Sequence, residues 1–163
     1  MDFNDPERTA FSVLNTLNGG YFSSRLMQNL REKQGLTYGI SSSSTFFGRQ
    51  SVFAISSEVN ADNTRRAVDS CFEELLRLQN EPVSNEELDM VKNYMAGIQL
   101  RAADTTVNAM LKFAYWHRFG LNETEMFRYL SEIKDVTPAE LFSLAKKYFP
   151  YNKFTRIIVG NYS

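Results

Sequence analysis

Arg31 and Tyr38 stand seven residues apart, at the two ends of the run Arg-Glu-Lys-Gln-Gly-Leu-Thr-Tyr. Arginine is a fixed cation with a planar fork of N–H donors, and tyrosine carries a phenol that can donate. On a rigid mount such a pair can hold an anion, but it can equally be a helix-end cation near carbonyls and a strand aromatic. The run closes a longer stretch, Gly19 to Tyr38, read as GGYFSSRLMQNLREKQGLTY. Two glycines open it, an amphipathic helix fills it, and a Gly-Leu-Thr-Tyr turn delivers Tyr38 to the start of a strand.

Other chemistries are poorly supplied. The chain has one histidine and one cysteine, whereas a catalytic zinc site wants about three protein ligands. A Ser-His-Asp arrangement would have to use His117, which lies between Trp116 and Arg118 and reads as a packed or surface residue. Cys71 admits no internal disulfide and falls on an apolar stripe, so it reads as core. Gly19-Gly20 reads as a helix stop and tight turn, and no phosphate loop, G-x-S-x-G or G-x-G-x-x-G is present. Arg25 reads as a salt-bridge or capping residue. The formal net charge of −1 makes no electrostatic case for nucleic acid or an anionic membrane, and no apolar run approaches a transmembrane length.

The elements that must hold Arg31 and Tyr38 follow from periodicity and punctuation. Asp5-Pro6-Glu7 opens a helix that Asn18-Gly19-Gly20 ends. A second helix runs from about Ser23 to Lys33 and stops at Gln34-Gly35. Thr37 to Thr45 and Gln50 to Val59 read as a hairpin joined through Phe46-Phe47-Gly48-Arg49. Serines 41–44 suggest a strand face open to solvent, or an edge that accepts a peptide strand. Asn60-Ala61-Asp62 caps a helix to about Leu78, with Ala67, Val68, Cys71, Phe72, Leu75 and Leu76 as its buried stripe. Ser84-Asn85-Glu86-Glu87 opens a long helix through about Arg101. Further helices are expected from Asp104 to Phe119, from Asn122 to Ile133, and from the Thr137-Pro138-Ala139-Glu140 box to about Tyr148. Phe154 to Val159 reads as a last strand. Segregated helices and strands predict an α+β fold with an antiparallel sheet and helices packed mainly on one face. Three strands look thin for so many helices, so a first strand or strands are expected to come from elsewhere.

On these residues the sequence resembles the C-terminal, zinc-free half of pitrilysin/insulinase-family metallopeptidases, in the bacterial processing-peptidase-like branch. The motifs are Gly19-Gly20, Ser24-Arg25-Leu26, Leu30-Arg31-Glu32-Lys33 and Gly35-Leu36-Thr37-Tyr38. The hairpin, the helix after Asn60, the Ser84-x-x-Glu87 opening and Thr137-Pro138 with the closing strand also fit. The resemblance covers nearly the whole chain. It implies a single domain over 1–163, half of a LuxS/metallohydrolase-like repeat. It implies that Arg31 and Tyr38 bind the substrate backbone beside the scissile bond and help hold the oxyanion. No catalytic residue is expected here, since the chain contains no H-x-x-E-H; zinc is implied only in a zinc-bearing half, on the same polypeptide or on a partner subunit. The partners implied are that half and a peptide substrate. An isolated half would expose an apolar face, so self-association is an expectation. The alternative is a non-catalytic structural or interaction module derived from the same family. Cytoplasm and periplasm both remain open.

Overall fold

The computed structural model describes residues 1–47, 50–101, 104–122 and 124–160. The elements are α1 (Arg8–Asn15), β1 (Thr37–Phe47), β2 (Gln50–Val59), α2 (Thr64–Asn80), α3 (Asn85–Arg101), α4 (Thr106–His117), α5 (Glu125–Asp135) and α6 (Pro138–Tyr148). Two π-helical segments, Thr16–Gly20 and Met27–Lys33, lie between α1 and β1. The second is the motif helix. Its C-terminus closes on Gly35, at φ 63°, with the Leu36 N–H donating back to the Leu30 carbonyl at 2.8 Å. That left-handed step is what the glycine is for.

α1 is the central element. Ala10, Phe11, Val13 and Leu14 are buried in one core with Leu17, with Leu88 and Val91 of α3, with Leu141 and Leu144 of α6, and with Phe149. A smaller core joins Leu26, Met27 and Leu30 of the motif helix to Leu36, Ile40 and Ala67. The hairpin lies over these helices with one face. Phe53 reaches Phe11 at 6.0 Å and Phe149 at 4.8 Å between ring centroids. The other face, with Ser41, Ser43, Thr45, Ala54 and Ser56, is exposed. This is the α+β arrangement with helices on one side of an antiparallel sheet.

Several expectations are corrected. Phe46 and Phe47 belong to β1 rather than to the loop, because the ladder continues to the Phe47–Gln50 pair; Gly48 and Arg49 lie outside the described residues. The serines do not share one exposed face. Ser42 is buried and donates to the Asn15 carbonyl at 3.1 Å, as strand alternation requires. Phe154 to Val159 forms no strand, and the sheet among the described residues has two strands. Phe154 packs beside Phe53 and Phe72, but Ile157 and Val159 stand in solvent. β-branched composition makes a strand only where an edge is in reach. In α2 the buried face is Ala67, Ser70, Glu74, Leu75 and Leu78, while Leu76 is exposed; the polar pair turns inward because it finds partners on the motif helix. In α4, Val107, Met110 and Leu111 are exposed and Trp116 is the buried residue.

Two of the capping readings carry through, whereas Asn60 makes no side-chain cap among the described residues and a 3-10 turn over Ala61–Asn63 leads into α2. Thr137 accepts from the Glu140 N–H at 3.2 Å and Ser84 from the Glu87 N–H at 3.1 Å, each satisfying an orphan donor of the first turn. Asp5 accepts from the Glu7 N–H at 2.9 Å, although α1 itself begins at Arg8.

Cys71 sits beside the smaller core. Burial, then the Glu74 charge, push its thiol up to about 12. Thiolate is the nucleophile, so iodoacetamide at neutral pH is expected to label Cys71 far more slowly in the folded protein than after denaturation. Equal rates, measured by mass spectrometry, would place the thiol outside this core.

Candidate functional site

A cleft of about 760 Å³ opens where the Thr16–Gly20 segment, the start of the motif helix and the first pairs of the hairpin meet. Gly19, Phe22, Met27, Tyr38, Ser56 and Glu58 are among the residues lining it. Each wall has a local cause. Gly19 is there because β1 passes too close for a side chain. A Cβ would lie 2.6 Å from the Ser42 backbone nitrogen and 2.9 Å from Leu26 Cδ1. The helical run ends at Gly20, where the sequence placed a stop, with Tyr21 extended; neither glycine has a positive φ, and what Gly19 adds is room for contact. Gly19→Ala is expected to destabilise the protein by about 1–3 kcal/mol, since the obstructing atom is backbone and must move. Thermal denaturation checks this, and an unchanged midpoint would show that the strand yields freely.

Tyr38 is delivered by a bulge. The register of β1 on β2 shifts between Thr37 and Ile40, so Thr37 pairs with Val59 and Ile40 with Ser57. The extra residue is clasped by hydroxyls. Thr37 Oγ1 accepts from the Gly39 N–H at 3.1 Å and lies 2.7 Å from the Glu58 carbonyl, and Ser57 Oγ lies 2.9 Å from both Thr37 Oγ1 and the Gly39 carbonyl. A bulge re-aims the side chain it carries. Tyr38 is 98% exposed and stands on the cleft.

Arg31 leaves the last turn of the motif helix. Its guanidinium carbon lies 4.7 Å from the centroid of the Phe22 ring, which lines the cleft. Among the described residues no carboxylate or side-chain hydrogen bond engages the guanidinium, and none engages the Tyr38 hydroxyl. Tyr38 thus lines the cleft, while Arg31 does not line it itself and lies against the Phe22 wall. The stacking on Phe22 holds the cation without consuming its N–H groups. Nothing in the sequence singled out Phe22, because an aromatic nine positions before an arginine has no spacing signature.

Behind the cleft, Arg25 makes the salt bridge expected of it. Its Nε and Nη2 donate to the two Glu87 oxygens at 2.8 and 2.7 Å, tying the motif helix to α3. Burial opposes the Arg25 charge, but the Glu87 pair outweighs it and the cation is held above its usual range. Tyr21 packs on Tyr94 at 4.8 Å, and burial followed by the Glu87 charge raises its phenol. His117 is exposed at the end of α4. Among the described residues, no group of three or more His, Cys, Asp or Glu is placed to hold a metal ion. With a lone exposed histidine, these residues do not fit a zinc site.

Residues 1–95, which contain the motif helix, the hairpin and the start of α3, match the family model for the peptidase M16 inactive domain. The chain belongs to that family. The M16 chain is 25% identical over 142 residues to an uncharacterized zinc protease of Streptomyces coelicolor, covering 87% of this chain and 31% of that protein. It is also 25% identical over 147 residues to the Probable inactive metalloprotease YmfF of Bacillus subtilis, covering 90% of this chain and 34% of that one. The chain therefore spans about a third of the length of these relatives. Its fold is that of the crystal structure of the peptidase M16 inactive domain from Pseudomonas fluorescens, with a TM-score of 0.80 at 23% identity over 90% of this chain and 35% of that one.

Proposed function

We propose that this M16 inactive domain is the non-catalytic, substrate-binding half of a zinc-dependent metalloendopeptidase. It would complete the chamber of a zinc-bearing half located on the same polypeptide or on a partner subunit. The observation that carries this reading is the cleft lined by Tyr38 and Phe22, with Arg31 stacked on that Phe22 and, among the described residues, the donors of Arg31 and Tyr38 unengaged. A peptide carbonyl entering the cleft would meet a fixed cation and a phenol. As the carbonyl becomes tetrahedral its oxygen gains charge, and both donors gain more from the transition state than from the bound substrate. The chain needs no nucleophile or metal of its own for this task. Cleavage belongs to the other half, and this half contributes binding and charge stabilisation.

A second reading, a non-catalytic interaction module, draws support from the name of the YmfF relative, an inactive metalloprotease. One experiment separates the two. The assembled peptidase, this chain with a zinc-bearing half supplied in cis or in trans, is assayed on a quenched fluorescent peptide with Arg31→Ala and Tyr38→Phe. Turnover that falls with both substitutions supports the first reading. Turnover indifferent to both, or absent with every zinc-bearing half tried, favours the second.

A further inference from the structure

The side of the motif helix turned toward α2 carries an unusual set of polar contacts. Asn29 Nδ2 donates to Glu74 Oε1 at 2.7 Å, and Asn29 Oδ1 accepts from Gln34 Nε2 at 2.8 Å. Gln34 Nε2 is also 2.9 Å from Ser70 Oγ, and Gln34 Oε1 accepts from Arg66 Nε at 2.9 Å. Glu74 is 1% exposed. Its remaining contact is with Arg77, one turn along α2, at 3.1 Å. A carboxylate at that depth is costly unless its hydrogen bonds are met, as Asn29 and Arg77 meet them here.

What the acid provides is orientation. Gln34, the C-cap of the motif helix, fixes the orientation of the Asn29 amide, and the helix cannot turn about its axis without breaking the Asn29–Glu74 bond and the bonds from Gln34 to Ser70 and Arg66 on α2. Asn29 and Arg31 are two residues apart on that helix. At α-helical pitch this is a separation of about 200°, and slightly less in a π turn, so the two side chains face nearly opposite ways. With Asn29 fastened to α2, Arg31 is turned away from α2 and onto Phe22 at the cleft.

We propose that Glu74, acting through Asn29, is a positioning residue that sets the rotation of the motif helix so that Arg31 faces the substrate cleft. The inference rests on the role given to Arg31 above. Glu74 touches no substrate; a lost anchor lets the guanidinium wander, and a displacement of about 1 Å at a reacting centre can cost on the order of 10²-fold in rate.

The test uses the assembled peptidase and the fluorescent peptide, with Glu74→Leu, Glu74→Gln, Asn29→Leu and Arg31→Ala, alone and with each of the first three combined with Arg31→Ala. Glu74→Leu and Asn29→Leu are expected to lower kcat about ten- to a hundredfold with KM little changed. Glu74→Leu leaves Asn29 Nδ2 without its acceptor and is expected to lower the thermal midpoint modestly, so kcat is read well below that midpoint. Glu74→Gln, whose amide oxygen still accepts from Asn29, retains most of the rate. In the Arg31→Ala background, Glu74→Leu costs nothing further, because the group it positions is gone. The proposal is overturned if Glu74→Leu leaves kcat at the wild-type value while Arg31→Ala lowers it. It is equally overturned if the two losses multiply, or if kcat falls only in step with the thermal midpoint. A wild-type rate for Arg31→Ala itself would instead remove the reading of the cleft on which this one depends.

Discussion

Replacing Arg31 by alanine is expected to slow peptide turnover by the assembled peptidase roughly 10²–10³-fold, the usual cost of one preorganised oxyanion donor. The loss should fall on kcat and on kcat/KM together, since the donor matters most when charge has developed on the carbonyl oxygen. Arg31→Lys is expected to recover little. The lysine keeps the charge but loses the planar fork, and it loses the stacking that holds the guanidinium 4.7 Å from the Phe22 centroid. Tyr38→Phe removes one hydroxyl from a 98% exposed side chain that makes no hydrogen bond among the described residues, so its effect is read without a folding penalty. Steady-state kinetics on the fluorescent peptide check all three. If Arg31→Ala raised KM alone and left kcat untouched, the arginine would serve ground-state binding, and the oxyanion role would be wrong.

Glu87→Ala is expected to be the most destabilising surface-remote change near the cleft, lowering the unfolding free energy by about 3 kcal/mol. Arg25 and Glu87 retain only 15% and 25% of their side-chain exposure. Arg25 Nη1 is buried with no hydrogen-bond partner among the described residues. Removing the acid therefore strands a cation that water reaches poorly, whereas an exposed pair would contribute about 0–1 kcal/mol. The double change Arg25→Met with Glu87→Leu is expected to recover most of the loss, because it removes both charges and fills their volume. Denaturant titration of the single and double variants measures both. A single-variant loss below about 1 kcal/mol would show that solvent screens the pair as it does on an open surface.

Much of the frame was legible before any tertiary contact was known. Thr137-Pro138 and Ser84-x-x-Glu87 marked helix starts correctly, because a cap is satisfied within one turn of its own residue. Gly35 marked the end of the motif helix for the same local reason. The hairpin was signalled by alternation in β2, while its register, which runs on through Phe46 and Phe47, and the bulge that turns Tyr38 outward were not. That bulge is clasped by Thr37 and by Ser57 from the opposite strand, and cross-strand hydroxyls have no linear signature. The last strand failed for a related reason: composition favoured it, but pairing is a property of two segments.

The types and spacing of Arg31 and Tyr38, the poverty of metal ligands and the order of the capped helices were written in the chain itself, since each depends on residues near in sequence. That Gly19 makes room for β1, that Phe22 carries the guanidinium, and that a buried Glu74 faces Asn29 were decided by packing alone. Those contacts join residues far apart in the chain or without any spacing rule, and only the folded arrangement brings their atoms within a few ångströms.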